Sequence, residues 1–357
     1  MRKYHKLLFI LLVLISSANF SFANPIKLFE ADNQYYQYVG RIDFSDKKMP
    51  RFWSPGVYIK AGFKGSFCQL IINDQELWGK NHNYLEIQID DQEPKRIQTT
   101  GKLNTISIAE GLGNGNHTVI ICKNTESNIG WIEFVGLKCE DLLPLPALPE
   151  RRIEFIGNSI TCSAGSDQSL VPCGKGVWHD QHNAYMGYGP VVARSLDAQW
   201  VLSAVSGIGL IHSCCGLTIT MPQVFDKIDM RGDSLTWNFA AYQPDVVTVC
   251  LGQNDGIQDS VIFCNAYINF IWRLRAFYPA AEIILLTSPM GDAKLTAALK
   301  NYLSGIKNAV RLKGDKKVDS YFYSKQYHNG CDGHPDLAEH QLIAAELGAF
   351  IKNKMKW

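Results

Sequence analysis

Two hydrophobic rhythms divide this chain. Between about residues 26 and 140 apolar and polar positions alternate in short runs. Residues 57–63, 67–72, 84–89, 105–108, 117–121 and 132–137 each read as a strand, with turn formers such as Asn73-Asp74 and Asp90-Asp91 between them. Alternation with a period of two marks strands with one buried face. Several short strands with no helical stretch among them predict a two-sheet β-sandwich of jelly-roll type. Pro144, Pro146 and Pro149 then interrupt both periods and predict an extended connector.

Beyond the prolines the rhythm changes. Nearly continuous apolar runs at 152–157, 199–205, 245–251, 282–287 and 318–322 alternate with helical stretches at 189–196, 260–278, 295–312 and 338–354. Strands without a polar face are buried on both sides, so a parallel sheet covered by helices is expected, a three-layer α/β/α arrangement. The expected organisation is residues 24–140 for the sandwich domain, 141–150 for a Pro-rich linker and 151–357 for the α/β domain.

In such sheets ligands bind at the carboxyl ends of the strands. Three strings fall there: Gly157-Asn158-Ser159-Ile160-Thr161, Gly252-Gln253-Asn254-Asp255 and Asp332-Gly333-His334-Pro335. Singly, each has a bland reading as a helix cap, an Asn-Asp turn or a solvent-exposed loop. Together they supply a serine nucleophile at a strand-to-helix turn, an amide donor, and a histidine beside an acid. Gly207, just past the second apolar run, lets the backbone approach a substrate oxygen. The candidate oxyanion donors are therefore the N–H groups of Ser159 and Gly207 and the side chain of Asn254. His334 is the expected base; His328, His212 and His179 are rivals without its setting. Either Asp332 or a backbone carbonyl would orient the imidazole. Trp178, Tyr185 and Tyr188 follow the serine and could offer a sugar platform, with Trp178 and Tyr188 the candidate substrate contacts. Packing beneath that loop is the competing reading. Trp53, Trp78 and Trp131 likewise read as core or as a glycan-binding face.

Composition narrows the class. With 35 basic and 34 acidic residues in 357 and no basic tract, neither nucleic acid nor an anionic membrane is an expected partner. The first 23 residues carry Arg2, Lys3 and Lys6, an apolar stretch at 7–15 and small residues at Ser21 and Ala23, the pattern of a secretory signal peptide. Export to a periplasm or the cell exterior is expected, with no membrane association after cleavage. Export makes disulfides plausible among the ten cysteines, and Cys162 with Cys173 is the most natural pair. Cys214, Cys215, Cys250 and Cys264 could be free and buried. Metal-ligand spacings are missing, so neither metal nor cofactor is expected.

Residues 151–357 resemble the SGNH (GDSL-like) hydrolases, named for Ser, Gly, Asn and His. Ser206-Gly207-x-Gly209, the string at 220–226, Pro244-Asp245-Val246-Val247 and Gly330-Cys331-Asp332-x-His334-Pro335 look most like carbohydrate esterase family 2. That family joins a jelly-roll to a flavodoxin-like SGNH domain. The resemblance implies a carbohydrate O-acetyl esterase acting on acetylated plant polysaccharides or oligosaccharides, with Ser159 as nucleophile and His334 as base. Three positions depart from the pattern. Asn158 replaces the usual aspartate, Cys331 stands where the third triad member is common, and Gly333 stands where an aromatic is frequent. A lipase- or thioesterase-like hydrolase and a glycan-binding protein with a vestigial hydrolase domain are the competing readings.

Overall fold

The structure is a computed structural model and describes residues 25–231 and 235–357. The signal-peptide reading of residues 1–23 lies outside the described residues. Ten antiparallel strands precede a five-stranded parallel sheet. The antiparallel part is built around one strand, Tyr58–Asp74. It pairs through its first half with Asn116–Lys123, through its second with Leu103–Ala109, and along most of its length with Ile132–Leu143. Two separate strands were expected at 57–63 and 67–72. They are one because pairing continues across Gly65, where the partner strand shifts register between Cys139 and Asp141 instead of ending. The antiparallel strands thus form one hydrogen-bonded network joined through this long strand. The last of them runs to Leu143, three residues into the segment expected to be linker.

The period-two pattern decides what this β-domain faces. Ile59, Ala61 and Phe63 point into its own core with Leu85, Ile87, Val119, Ile121 and Phe134. Tyr58 and Cys122, one residue out of phase, join the other core, which belongs to the parallel sheet. Tyr58 stacks on Trp200 at 4.1 Å, and the Trp200 indole N–H donates to the Gly56 carbonyl at 2.9 Å. A fully buried Arg41–Glu154 ion pair (2.9 Å) also crosses the interface, as do hydrogen bonds from Arg96 to the carbonyls of Asp180 and His182. The apolar contacts, the buried charge pair and the hydrogen bonds together make the two domains pack against each other along a shared core.

Strand order in the parallel sheet is Ala198–Ala204, Arg151–Gly157, Val246–Val249, Glu282–Leu286, Val318–Tyr321. Helices Tyr188–Ser195 and Leu337–Met355 pack together on one face, and Ser260–Phe277 and Ala293–Leu312 on the other. The order reverses at Arg151–Gly157, which lies between the second and third strands of this sheet. This reversal opens the crevice where such sheets bind ligands. Among the described residues no helix is long and apolar enough to cross a membrane.

Candidate active site

Ser159 leaves the end of strand Arg151–Gly157 in a tight turn. The Cys162 N–H donates to the Asn158 carbonyl (3.0 Å), the Ala164 N–H to the Ser159 carbonyl (2.9 Å), and the Ile160 N–H to Asn158 Oδ1 (3.2 Å). A Cβ at Gly157 would collide with the Thr161 hydroxyl, so the turn closes only over glycine. His334 comes from the other end of the chain. Its loop is anchored by a capping box at the start of Leu337–Met355. The Asp336 carboxylate accepts the Glu339 N–H at 2.8 Å, while Glu339 accepts the N–H groups of Asp336 and Asn329.

The two side chains meet. His334 Nε2 lies 2.9 Å from Ser159 Oγ. On the far side of the ring, Nδ1 lies 3.1 Å from the Cys331 carbonyl. A carbonyl only accepts, so Nδ1 carries the proton and Nε2 offers a lone pair to the serine hydroxyl. Of the two orienting groups weighed from sequence, the backbone carbonyl occupies the position, and the expectation of Asp332 as third triad member is corrected. Asp332 has a left-handed backbone (φ 52°) that completes the turn, and its side chain is exposed at the cavity rim. Burial pushes the His334 pKa below its ordinary value, partly opposed by the Cys331 carbonyl and the Asp332 charge.

Cysteine 331 is also tethered. It forms a disulfide with Cys173, across 158 residues, and its N–H donates to the Gly165 carbonyl at 2.8 Å. The expected Cys162–Cys173 pair is absent. Cys162 points inward from the serine turn, its thiol 3.6 Å from Glu126 Oε2, whereas Cys173 lies on an exposed loop above the histidine. Cys214 and Cys215, for which a free, buried state was one reading, are bonded to each other and line the cavity. Cys250 is free and buried, and Cys264 is free and half-buried.

Opposite the Ser–His pair stand the oxyanion candidates. Gly207 has φ +80°, and its N–H and that of Ser159 donate to no group among the described residues. Asn254 donates from Nδ2 to the Ile208 carbonyl at 2.8 Å, which leaves its second N–H for a ligand. Ser159, Gly207, Asn254 and His334 line one cavity of about 610 Å³, together with Trp178, Met290 and Leu217. Trp178 is half-exposed there, its ring 4.2 Å from that of His182. Tyr188, the other expected substrate contact, is completely buried, with its hydroxyl 2.8 Å from that of Thr161. That call is corrected: Tyr188 supports the serine turn from below. Tyr185 is buried as well, and Trp53 is core, while Trp131 is half-buried under Arg51. Trp78 is 77% exposed. The rival histidines do not reach Ser159: His212 and His328 are exposed and His179 is buried beside Asp180. A second cavity of about 690 Å³ lies between the domains near Tyr38 and Trp237, and its described lining holds neither serine nor histidine. No cluster of three or more metal-ligating side chains occurs among the described residues.

Sequence reasoning missed several supports. Asp255 is buried and accepts the N–H groups of Leu210 (2.9 Å), Ile211 (2.8 Å) and His212 (3.0 Å), tying the loop after Gly207 to the strand that carries Asn254. Its signal was a carboxylate directly after Asn254, read only as part of a turn. From the β-domain, Asn128 lines the cavity and Glu126 accepts the Ser206 N–H at 2.6 Å.

Both domains have counterparts among known proteins. Residues 38–149 match the carbohydrate esterase 2 N-terminal family, and residues 155–335 match the GDSL-like lipase/acylhydrolase family. A solved family two carbohydrate esterase from Clostridium thermocellum, in complex with cellohexaose, superposes with TM-score 0.83 at 30% identity, covering 90% of this chain and 99% of that one. This chain belongs to carbohydrate esterase family 2. An acetylxylan esterase/glucomannan deacetylase from Cellvibrio japonicus is 28% identical over 99% of this chain and all of its own length. The cellulase/esterase CelE of Acetivibrio thermocellus is 32% identical over 92% of this chain, which spans 40% of that protein.

Proposed function

We propose that this family 2 carbohydrate esterase removes acetyl groups from plant polysaccharides or oligosaccharides through an acyl-enzyme. The observation that carries the reading is the 2.9 Å contact between Ser159 Oγ and a His334 whose other nitrogen faces a carbonyl. Ser159 Oγ attacks the acetyl carbon as its proton passes to His334 Nε2. The N–H groups of Ser159 and Gly207 and the Asn254 amide receive the negative charge on the carbonyl oxygen. The tetrahedral species collapses as His334 returns the proton to the departing sugar oxygen. Water then attacks the acetyl-serine by the same route reversed and releases acetate. No aspartate takes part, so the imidazolium is stabilised by a carbonyl dipole instead of a full charge.

The sugar would rest between Trp178 and the apolar side of the cavity. The N-terminal pattern at residues 1–23 supports an exported enzyme, where acetylated polysaccharide is found. Acetate release from acetylated xylan, acetylated glucomannan and p-nitrophenyl acetate, set against p-nitrophenyl octanoate, tests the reading. Turnover should be fastest with the two-carbon acyl group and should require Ser159. Preference for the octanoyl ester would support a lipase-like hydrolase, and glycan binding without acetate release a retired site.

A further inference from the structure

Glu126 belongs to the β-domain, is fully buried, and has no part in the mechanism above. It lies in residues 123–129, a segment inserted against the back of the active site; within it the Lys123 ammonium is satisfied by Thr125 and the Glu126 carbonyl, and Asn128 reaches the cavity. Glu126 Oε2 accepts the Ser206 N–H at 2.6 Å, across 80 residues of sequence. On the other side of Gly207, the Cys214 N–H donates to the Gly207 carbonyl at 2.8 Å. The peptide unit that carries the Gly207 N–H is therefore flanked by two pinned units, the one before it through the Ser206 N–H and the one after it through the Gly207 carbonyl. Glycine at φ +80° has no side chain to fix that unit, so its aim depends on the pins.

We propose that Glu126 is a positioning residue for the oxyanion hole: by gripping the Ser206 N–H, the β-domain aims the Gly207 N–H at the reacting oxygen. The proposal rests on the esterase reading and deepens it, because the hydrolase site is then incomplete without the β-domain. Oxyanion donors act through preorganisation, so a donor free to swing loses its effect on the transition state while substrate binding is spared. Burial raises the pKa of the Glu126 carboxyl and favours its neutral form. Glutamine offers the same acceptor.

The test compares kcat and KM of wild type, Glu126→Gln and Glu126→Met on p-nitrophenyl acetate and acetylated xylo-oligosaccharides, with amide exchange at Ser206. Glu126→Met should lower kcat by about 30- to 100-fold with KM within about 3-fold, and Glu126→Gln should recover to within about 3-fold of wild type. The Ser206 amide should be protected in wild type and Gln and lose protection in Met. A folded Met variant with wild-type kcat, or a Gln variant as damaged as Met, overturns the proposal. Should Met not fold, or wild type prove inactive, Ser206 exchange in wild type and Gln decides: a protected amide supports the grip and an unprotected one overturns it. Inactive wild type would reject the esterase reading separately.

Discussion

The two halves of the active site are held in different ways. The acid–base half, Ser159 and His334, is secured within the α/β domain: a tight turn after one strand, a capping box, and a carbonyl tethered by the Cys173–Cys331 disulfide. The oxyanion half, Gly207 and Asn254, also draws on the other domain: two buried acidic side chains hold its backbone, Asp255 next to Asn254 and Glu126 on the β-domain. The difference follows from what each half must fix. A side chain has rotamers that packing can select, whereas a backbone N–H is aimed only by holding its peptide plane. Backbone planes in loops need hydrogen-bond acceptors, and carboxyl oxygens supply them.

The comparison can be broken at both halves. The largest loss is expected from Ser159→Ala, which removes the nucleophile and should reduce kcat on the order of 10⁴-fold or more in acetate release, with the melting temperature kept. Asn254→Ala should follow, with kcat lower by roughly 10²- to 10³-fold and KM little changed, as for other single oxyanion donors. Cys173→Ser tests the tether. Opening a loop of this length should cost about 2–4 kcal/mol of stability, read by denaturant titration, with a drop in kcat smaller than that of Asn254→Ala. A Cys173→Ser enzyme as stable as wild type would show the tether to be idle.

The smallest effect is expected at Asp332. Because the Cys331 carbonyl already orients the ring, Asp332→Asn should change kcat at neutral pH by less than about 3-fold, against the roughly 10⁴-fold loss seen when a triad aspartate sets the tautomer. The pH profile sharpens this further. Catalysis needs neutral His334, so activity falls as pH drops through its pKa, and burial places that limb below pH 6.5. The Asp332 charge raises this pKa, so removing it should move the acid limb of kcat/KM to still lower pH. A limb that stays put or moves upward in Asp332→Asn would show the carboxylate to be uncoupled from the ring.

Much of this was legible from residue patterns. The change from period two to long apolar runs separated the two architectures, and Ser159, Gly207, Asn254 and His334 were each recognisable at a strand end or loop. Asp332 misled because an acid beside a histidine is the familiar pairing; the left-handed turn at Asp332 and Gly333 turns Nδ1 toward the Cys331 carbonyl instead. Tyr188 misled because nearness to Ser159 in sequence says nothing about which face of the turn a side chain lies on. Cys162 and Cys173 are near in sequence, but the serine turn directs Cys162 inward toward Glu126.

The sequence alone determined the order of fold types and the chemical groups at the sheet's carboxyl edge, because periodicity and turn chemistry are local properties. Tertiary structure decided which acceptor meets Nδ1, which cysteines bond, and that Glu126 of the first domain reaches Ser206 of the second. These are contacts between backbone groups or between residues far apart in the chain, and their energies depend on approach distances of a few ångströms that only the packed fold sets.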